Sequence, residues 1–134
     1  MIIGGAYQGK TEYAKKEYPD LIWGEGSSLS REELFAAEGV LNFHEFISRE
    51  ITAGREVSDL AEALIRKHPK VVLVSQEVGY GVVPIDAFDR KYREAVGRVC
   101  YGMATNSHNV TRVACGIGMV IQNEYIMADP LSHT

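Results

Sequence analysis

Short apolar runs and helical spacings take turns along this chain. Met1, Ile2 and Ile3 run straight into glycines, which predicts a minimal first strand of about 10 Å at ~3.3 Å per residue. Residues 10–18 fit a helix closed by Pro19. Leu21, Ile22 and Trp23 predict a second short strand, with a Gly/Ser loop at 24–28 behind it. Ser30 and Glu33 have the spacing of a capping box, in which each side chain bonds the other's backbone, so a helix is expected over 31–37. Residues 39–43 read as a strand, and a helix follows over about 45–52, stopped near Gly54.

Ser58 lies in or just before the next helix, whose Leu60, Ala63 and Leu64 share an inward face and which ends at His68-Pro69. The stretch 70–75, KVVLVS, is a continuous apolar run of the kind a parallel sheet buries on both faces. A glycine-rich turn at 78–81 leads to Pro84. Asp86 is expected to cap a long helix reaching about Asn106, with Phe88, Tyr92, Ala95, Val96 and Val99 at helical spacing. Residues 111–115 predict the last clear strand, with 117–121 extending it or pairing with it, and the polar tail at 123–134 is expected to be poorly ordered. Strands alternating with helices predict an α/β three-layer fold with a mostly parallel sheet. A length of 134 residues suits one domain over 1–134.

Charge narrows the partners. A net charge of -4 gives no field for capturing nucleic acid or an anionic membrane, so an acidic ligand needs a local basic site. No apolar stretch approaches the length of a spanning helix and no signal-peptide core is visible, so the expected location is cytoplasmic. Cys100 and Cys115 form neither a metal-binding spacing nor a disulfide framework.

The chemistry is concentrated at the first turn. Gly4-x-x-x-x-Gly9-Lys10-Thr11 fits the phosphate-loop pattern GxxxxGK[ST] without mismatch. Glycines let successive backbone N–H groups converge on anionic oxygens, and the helix behind them directs its positive end there. Gly4, Gly5, Ala6, Tyr7, Gln8, Gly9, Lys10 and Thr11 are the candidate nucleotide-binding residues. Lys10 is placed to reach the β- and γ-phosphates and the Thr11 hydroxyl to hold Mg²⁺. Such a site also needs an acid at a nearby strand end. Asn42, after Val40-Leu41, is neutral, and Glu45 lies where a helix begins. Glu77, just after the 70–75 run, is the best placed candidate for catalysis and Mg²⁺, against the alternative of an exposed loop glutamate.

The stretch 74–84, VSQEVGYGVVP, is more specific still. It resembles the N-E-V-G-x-G-[IV]-V-P segment of the bifunctional adenosylcobinamide kinase/adenosylcobinamide-phosphate guanylyltransferase family. The likeness continues through Arg90-Lys91-Tyr92-Arg93-Glu94-Ala95-Val96-Gly97-Arg98-Val99, resumes at 113–118, VACGIG, and includes GGAYQGKT against GG-x-x-SGKS. The resemblance implies a RecA-like P-loop NTPase fold, cytoplasmic work in cobalamin assembly, and a homo-oligomer, often a trimer. It implies ATP or GTP with Mg²⁺, a cobinamide substrate that accepts the γ-phosphate on its aminopropanol hydroxyl, and a second step through a guanylylated histidine. It assigns phosphates and Mg²⁺ to Gly5, Gly9, Lys10 and Thr11, and puts Glu77 and Gly79 at the strand end facing them. Arg90, Arg93 and Arg98 match motif arginines that contact substrate phosphate or tie subunits together, with a solvated helix surface as the alternative.

Departures from the pattern are as informative. The family's histidine segment follows the first helix and the next strand, yet no histidine lies between Thr11 and Gly39 here. Of His44, His68, His108 and His133, only His44 falls near a strand end that would face nucleotide. Asn42 stands where the family carries Asp or Glu, and Gln76 where it carries Asn. The expectation is a short relative that retains the kinase step and has lost guanylyl transfer. The alternative is a catalytically inactive nucleotide- or corrinoid-binding relative with a regulatory or partner role.

Overall fold

The computed structural model describes residues 1–5, 8–76, 87–105 and 110–121. In chain order the elements are β1 (Ile2–Gly4), α1 (Lys10–Glu17), β2 (Trp23–Glu25), α2 (Arg31–Ala36), β3 (Gly39–Leu41), α3 (Phe43–Thr52), α4 (Leu60–Lys67), β4 (Val72–Gln76), α5 (Ala87–Thr105), β5 (Thr111–Ala114) and β6 (Ile117–Val120). They build one six-stranded sheet in the order β2-β3-β4-β1-β5-β6. Every pairing is parallel except the β5–β6 hairpin. This is the mixed α/β architecture of a P-loop NTPase, and it puts β1 near the middle of the sheet with its carboxyl end open to the crevice above, where such sheets bind ligands.

Alternation along the buried strands sorts the core into two layers. Val40 and Leu73 face one side, packed with Leu34 of α2, with Phe43, Phe46 and Ile47 of α3, with Leu60 and Leu64 of α4, and with Val96 and Val99 of α5. Their neighbours Leu41 and Val74 face the other, with Ile2 and Val113, under Ala14 and Tyr13 of α1. The inward face expected for α4 is therefore observed, since Leu60, Ala63 and Leu64 are all buried. Both bonds of the Ser30–Glu33 capping box are present at the start of α2. His68 closes α4 and contacts the Ala37 carbonyl through Nε2, which ties the end of α4 to the entry of β3.

Two boundaries and the placement of one aromatic residue differ from the sequence expectation. The second strand is not Leu21-Ile22-Trp23 but Trp23–Glu25, and Ile22 is 78% exposed. Its register is set by β3: Trp23 pairs with Gly39, the one residue whose missing side chain leaves room for the indole, while the Ile22 N–H is drawn off to the Glu38 carboxylate. Helix α3 begins at Phe43 rather than near Glu45, because Asn42 turns the chain in the left-handed region (φ 54°) and its carbonyl takes the first helical bond, from the Glu45 N–H. Phe88 has helical spacing yet is exposed, stacked on the Tyr92 ring at a centroid distance of 6.5 Å. Asp86 and the 123–134 tail lie outside the described residues.

Candidate functional site

Construction of the site begins with the passage from β1 to α1. At Gly4 a Cβ would stand 2.6 Å from the Val113 carbonyl oxygen, so the central strand reaches its end in direct backbone contact with β5. Gly9 then adopts φ +84° as the residue that starts α1, a conformation that costs a side-chain-bearing residue about 1 kcal/mol or more. The turn is clamped from the β5–β6 connection: the Gly116 N–H donates to the Gln8 carbonyl (2.8 Å) and the Cys115 N–H to Gln8 Oε1 (2.8 Å). No side chain caps α1, so the N–H groups of its first turn and the positive end of its dipole face the crevice. Lys10 Nζ donates to the Gly5 carbonyl at 2.7 Å, which holds the ammonium against the loop that it would otherwise extend beyond.

Above this turn is an open cleft of about 570 Å³, within the size range of small-ligand sites. Gln8, Gly9, Lys10 and Thr11 form one wall; Glu25, Asn42 and His44 stand opposite, at the ends of β2 and β3 and the start of α3. The structure thus brings four of the predicted nucleotide-binding residues to one cleft, with Gly4 and Gly5 leading into it. Ala6, Tyr7, Glu77 and Gly79 lie outside the described residues. None of the three predicted arginines lines this cleft. Arg90 is exposed on α5, and Arg93 Nε holds both oxygens of Asp89 one turn away, at 3.0 Å each. Arg98 lines a separate cleft between the end of α3 and α5, beside Arg55 and Lys91.

His44 is buried. Its Nδ1 accepts the Gln76 N–H at 3.0 Å, which fixes the neutral tautomer with the proton on Nε2, 3.6 Å from Glu45 Oε1. Burial pulls its pKa below the ordinary histidine value; Glu45 opposes this and the Lys10 charge adds to it.

Glu25 was hidden in the sequence, where it fell inside the expected Gly/Ser loop. In the structure it is the last residue of β2. Its Oε1 accepts Asn42 Nδ2 at 2.9 Å and its Oε2 accepts the Ser27 N–H at 3.0 Å. Partial burial raises its pKa, but these hydrogen bonds outweigh it, so the carboxyl lies below its ordinary value and is ionised at neutral pH. The signal available in the sequence was an acid flanked by Gly24 and Gly26 just after a short apolar run. The neighbourhood is stiff: Gly26 donates to the Leu41 carbonyl at 2.7 Å, and a Cβ on Gly26 would collide with the Asn42 carbonyl. Arg49 Nη1 on α3 then pins the carbonyls of Gly26 (3.0 Å) and Leu29 (2.8 Å).

For Mg²⁺ the donor chemistry fits. The Thr11 hydroxyl and the Glu25 carboxylate are hard oxygen donors in the same cleft, and this ion takes one or two protein ligands with the rest from phosphate and water.

Comparison with known proteins agrees with the architecture. The family model described as cobinamide kinase / cobinamide phosphate guanyltransferase matches residues 28–121, which starts downstream of the 4–11 loop. The bifunctional adenosylcobalamin biosynthesis proteins CobU of Escherichia coli and Salmonella typhimurium are each 40% identical over 67 residues. That segment is half of this chain but only 37% of either relative. With most of its length matched, the chain belongs to the cobinamide kinase / cobinamide phosphate guanyltransferase family.

Proposed function

We propose that this chain binds ATP or GTP with Mg²⁺ at the 4–11 loop and transfers the γ-phosphate to the aminopropanol hydroxyl of adenosylcobinamide, without the guanylyl-transfer step. The observation that carries the reading is the glycine turn between the central strand and α1, with Lys10 and Thr11 on the wall of a cleft of suitable size. Family membership supplies the acceptor. The loop N–H groups and the end of α1 would receive the phosphates, and Lys10 would exchange the Gly5 carbonyl for phosphate oxygen. Bound Mg²⁺ would offset the phosphate charge, held by Thr11 and an acid. Glu77, next in sequence after β4, is the acid expected from the family motif. The acceptor oxygen bonds to the γ-phosphorus as the bridge to the β-phosphate breaks, releasing nucleoside diphosphate. Loss of the second activity rests on the absence of any histidine between Thr11 and Gly39. A cytoplasmic homo-oligomer, trimeric as is common in the family, completes the proposal.

One observation favours a catalytically inactive, nucleotide- or corrinoid-binding relative instead: the strand-end residue Asn42 carries no charge. Transfer of label from γ-labelled ATP or GTP to adenosylcobinamide, beside Lys10→Ala, separates the two. Kinase activity predicts Lys10-dependent transfer. Nucleotide that raises the melting temperature with no transfer would establish the binding-only reading; ligand at 100 times its Kd adds about 2.7 kcal/mol, a readily measured shift.

A further inference from the structure

Resting on the nucleotide reading above but assigning its acid differently, we infer that Glu25, oriented by Asn42, rather than the motif acid Glu77, is the carboxylate that holds the divalent cation in the cleft, and that Asn42 is its positioning residue. Phosphate loops need an acid close to the loop's hydroxyl. The end of β3 provides only the neutral Asn42, yet the end of the adjacent β2 provides Glu25, and both line the cleft with Thr11.

Three features distinguish Glu25 from an incidental surface acid. Its oxygens accept from neutral donors, the Asn42 amide on Oε1 and the Ser27 N–H on Oε2, with the Ser27 hydroxyl also acting on the carboxylate. A carboxylate has about four lone-pair sites, so these donors still leave room for a cation or its waters. Second, no lysine or arginine among the described residues forms an ion pair with it, so its charge is not consumed inside the protein. Third, its backbone is anchored independently of any ligand, by the Gly26–Leu41 bond and by Arg49. A site prepared in this way needs little reorganisation when the cation arrives.

Asn42 suits its part for two separate reasons. Its left-handed backbone is one that asparagine tolerates better than glutamate does. Its amide provides a donor toward Glu25, whereas an acid at 42 would put two like charges within hydrogen-bond distance. The neutral residue at 42 is thus what allows the charge at 25. The pair places the acid at the end of β2 instead of the end of β3.

The test uses fluorescent N-methylanthraniloyl ATP and GTP, titrated with the full chain in EDTA and in Mg²⁺, and Mn²⁺ titrated in the presence of a non-hydrolysable analogue and followed by electron paramagnetic resonance. Glu25→Gln should keep the affinity measured in EDTA, lose the gain that Mg²⁺ gives, and weaken Mn²⁺ by about tenfold or more. Asn42→Gly, which accepts the left-handed backbone while removing the amide, should weaken Mn²⁺ less than Glu25→Gln does. The exchange variant Glu25→Gln/Asn42→Asp should regain part of the Mn²⁺ affinity, because it returns one carboxylate to the cleft; a merely structural Glu25 would give no such rescue. Circular dichroism melts show that each variant is folded. Metal-dependent affinity unchanged in Glu25→Gln would overturn this inference alone. Wild-type protein that binds neither nucleotide would overturn it together with the function it rests on.

Discussion

Arg49 is the most informative single residue for stability, because one nitrogen holds the turn that carries Glu25. Replacing it with methionine keeps an aliphatic stem of similar length and removes both hydrogen bonds from Nη1 to the Gly26 and Leu29 carbonyls. Bonds from a charged donor contribute about 1.5–3 kcal/mol each when shielded from water. Arg49 is largely exposed and water can replace part of the loss, so about 2 kcal/mol is expected for the pair. Unfolding entropy of about 2.1 cal/mol/K per residue gives roughly 0.3 kcal/mol/K for this chain, so the melting temperature should fall by about 7 °C. Thermal and urea denaturation followed by circular dichroism measure this. Arg49→Lys, with a compact ammonium on a shorter reach, should fall between the two. A melting temperature within about 1 °C of wild type in Arg49→Met would refute the claim that these bonds hold the 26–29 turn.

Two other expectations follow from the geometry. Gly4→Ala drives a methyl into the Val113 carbonyl across paired backbone, where neither partner can rotate away; it should lower stability by about 1–3 kcal/mol and weaken nucleotide binding, as read by urea denaturation and by titration, and an unchanged protein would contradict the close β1–β5 approach. His44 makes stability depend on pH. Its folded pKa is held below the unfolded value of about 6.5, so its neutral form costs nothing above that pH, and stability declines as pH falls through 6.5 toward the folded pKa because the unfolded chain takes the proton first. His44→Asn, whose Oδ1 can replace Nδ1 as acceptor for the Gln76 N–H, should flatten that decline in urea titrations between pH 7.5 and 5; parallel curves would exclude His44 as its source.

Local rules made much of the fold readable. Capping chemistry set the start of α2 at Ser30, period-3.6 burial set the face of α4, and the unbroken apolar run marked β4 as a central strand. Reading failed where pairing overrode local preference. Ile22 has strong strand propensity, yet the register that seats Trp23 over Gly39 moves the strand two residues onward and leaves Ile22 in solvent. The same shift concealed Glu25, since a residue taken for loop is not asked what it faces. At the site, the phosphate-loop pattern could be read because its spacing is local. The pairing of Glu25 with Asn42 spans two strands and becomes visible only once β2 and β3 lie side by side.

The central position of β1 has a consequence in time. Ile2 pairs with Val74 on one side and Thr111 on the other, and Gln8 is clamped by Cys115 and Gly116. A chain emerging from the ribosome at about 5–20 residues per second therefore carries its first glycine-rich segment for several seconds before any of these partners exists. Early synthesis produces the motif, but only late synthesis produces the cradle. Under the proposed function, nucleotide could not guide the first steps of folding and would only lock the last one, so capture of ligand would report that nearly the whole sheet has closed.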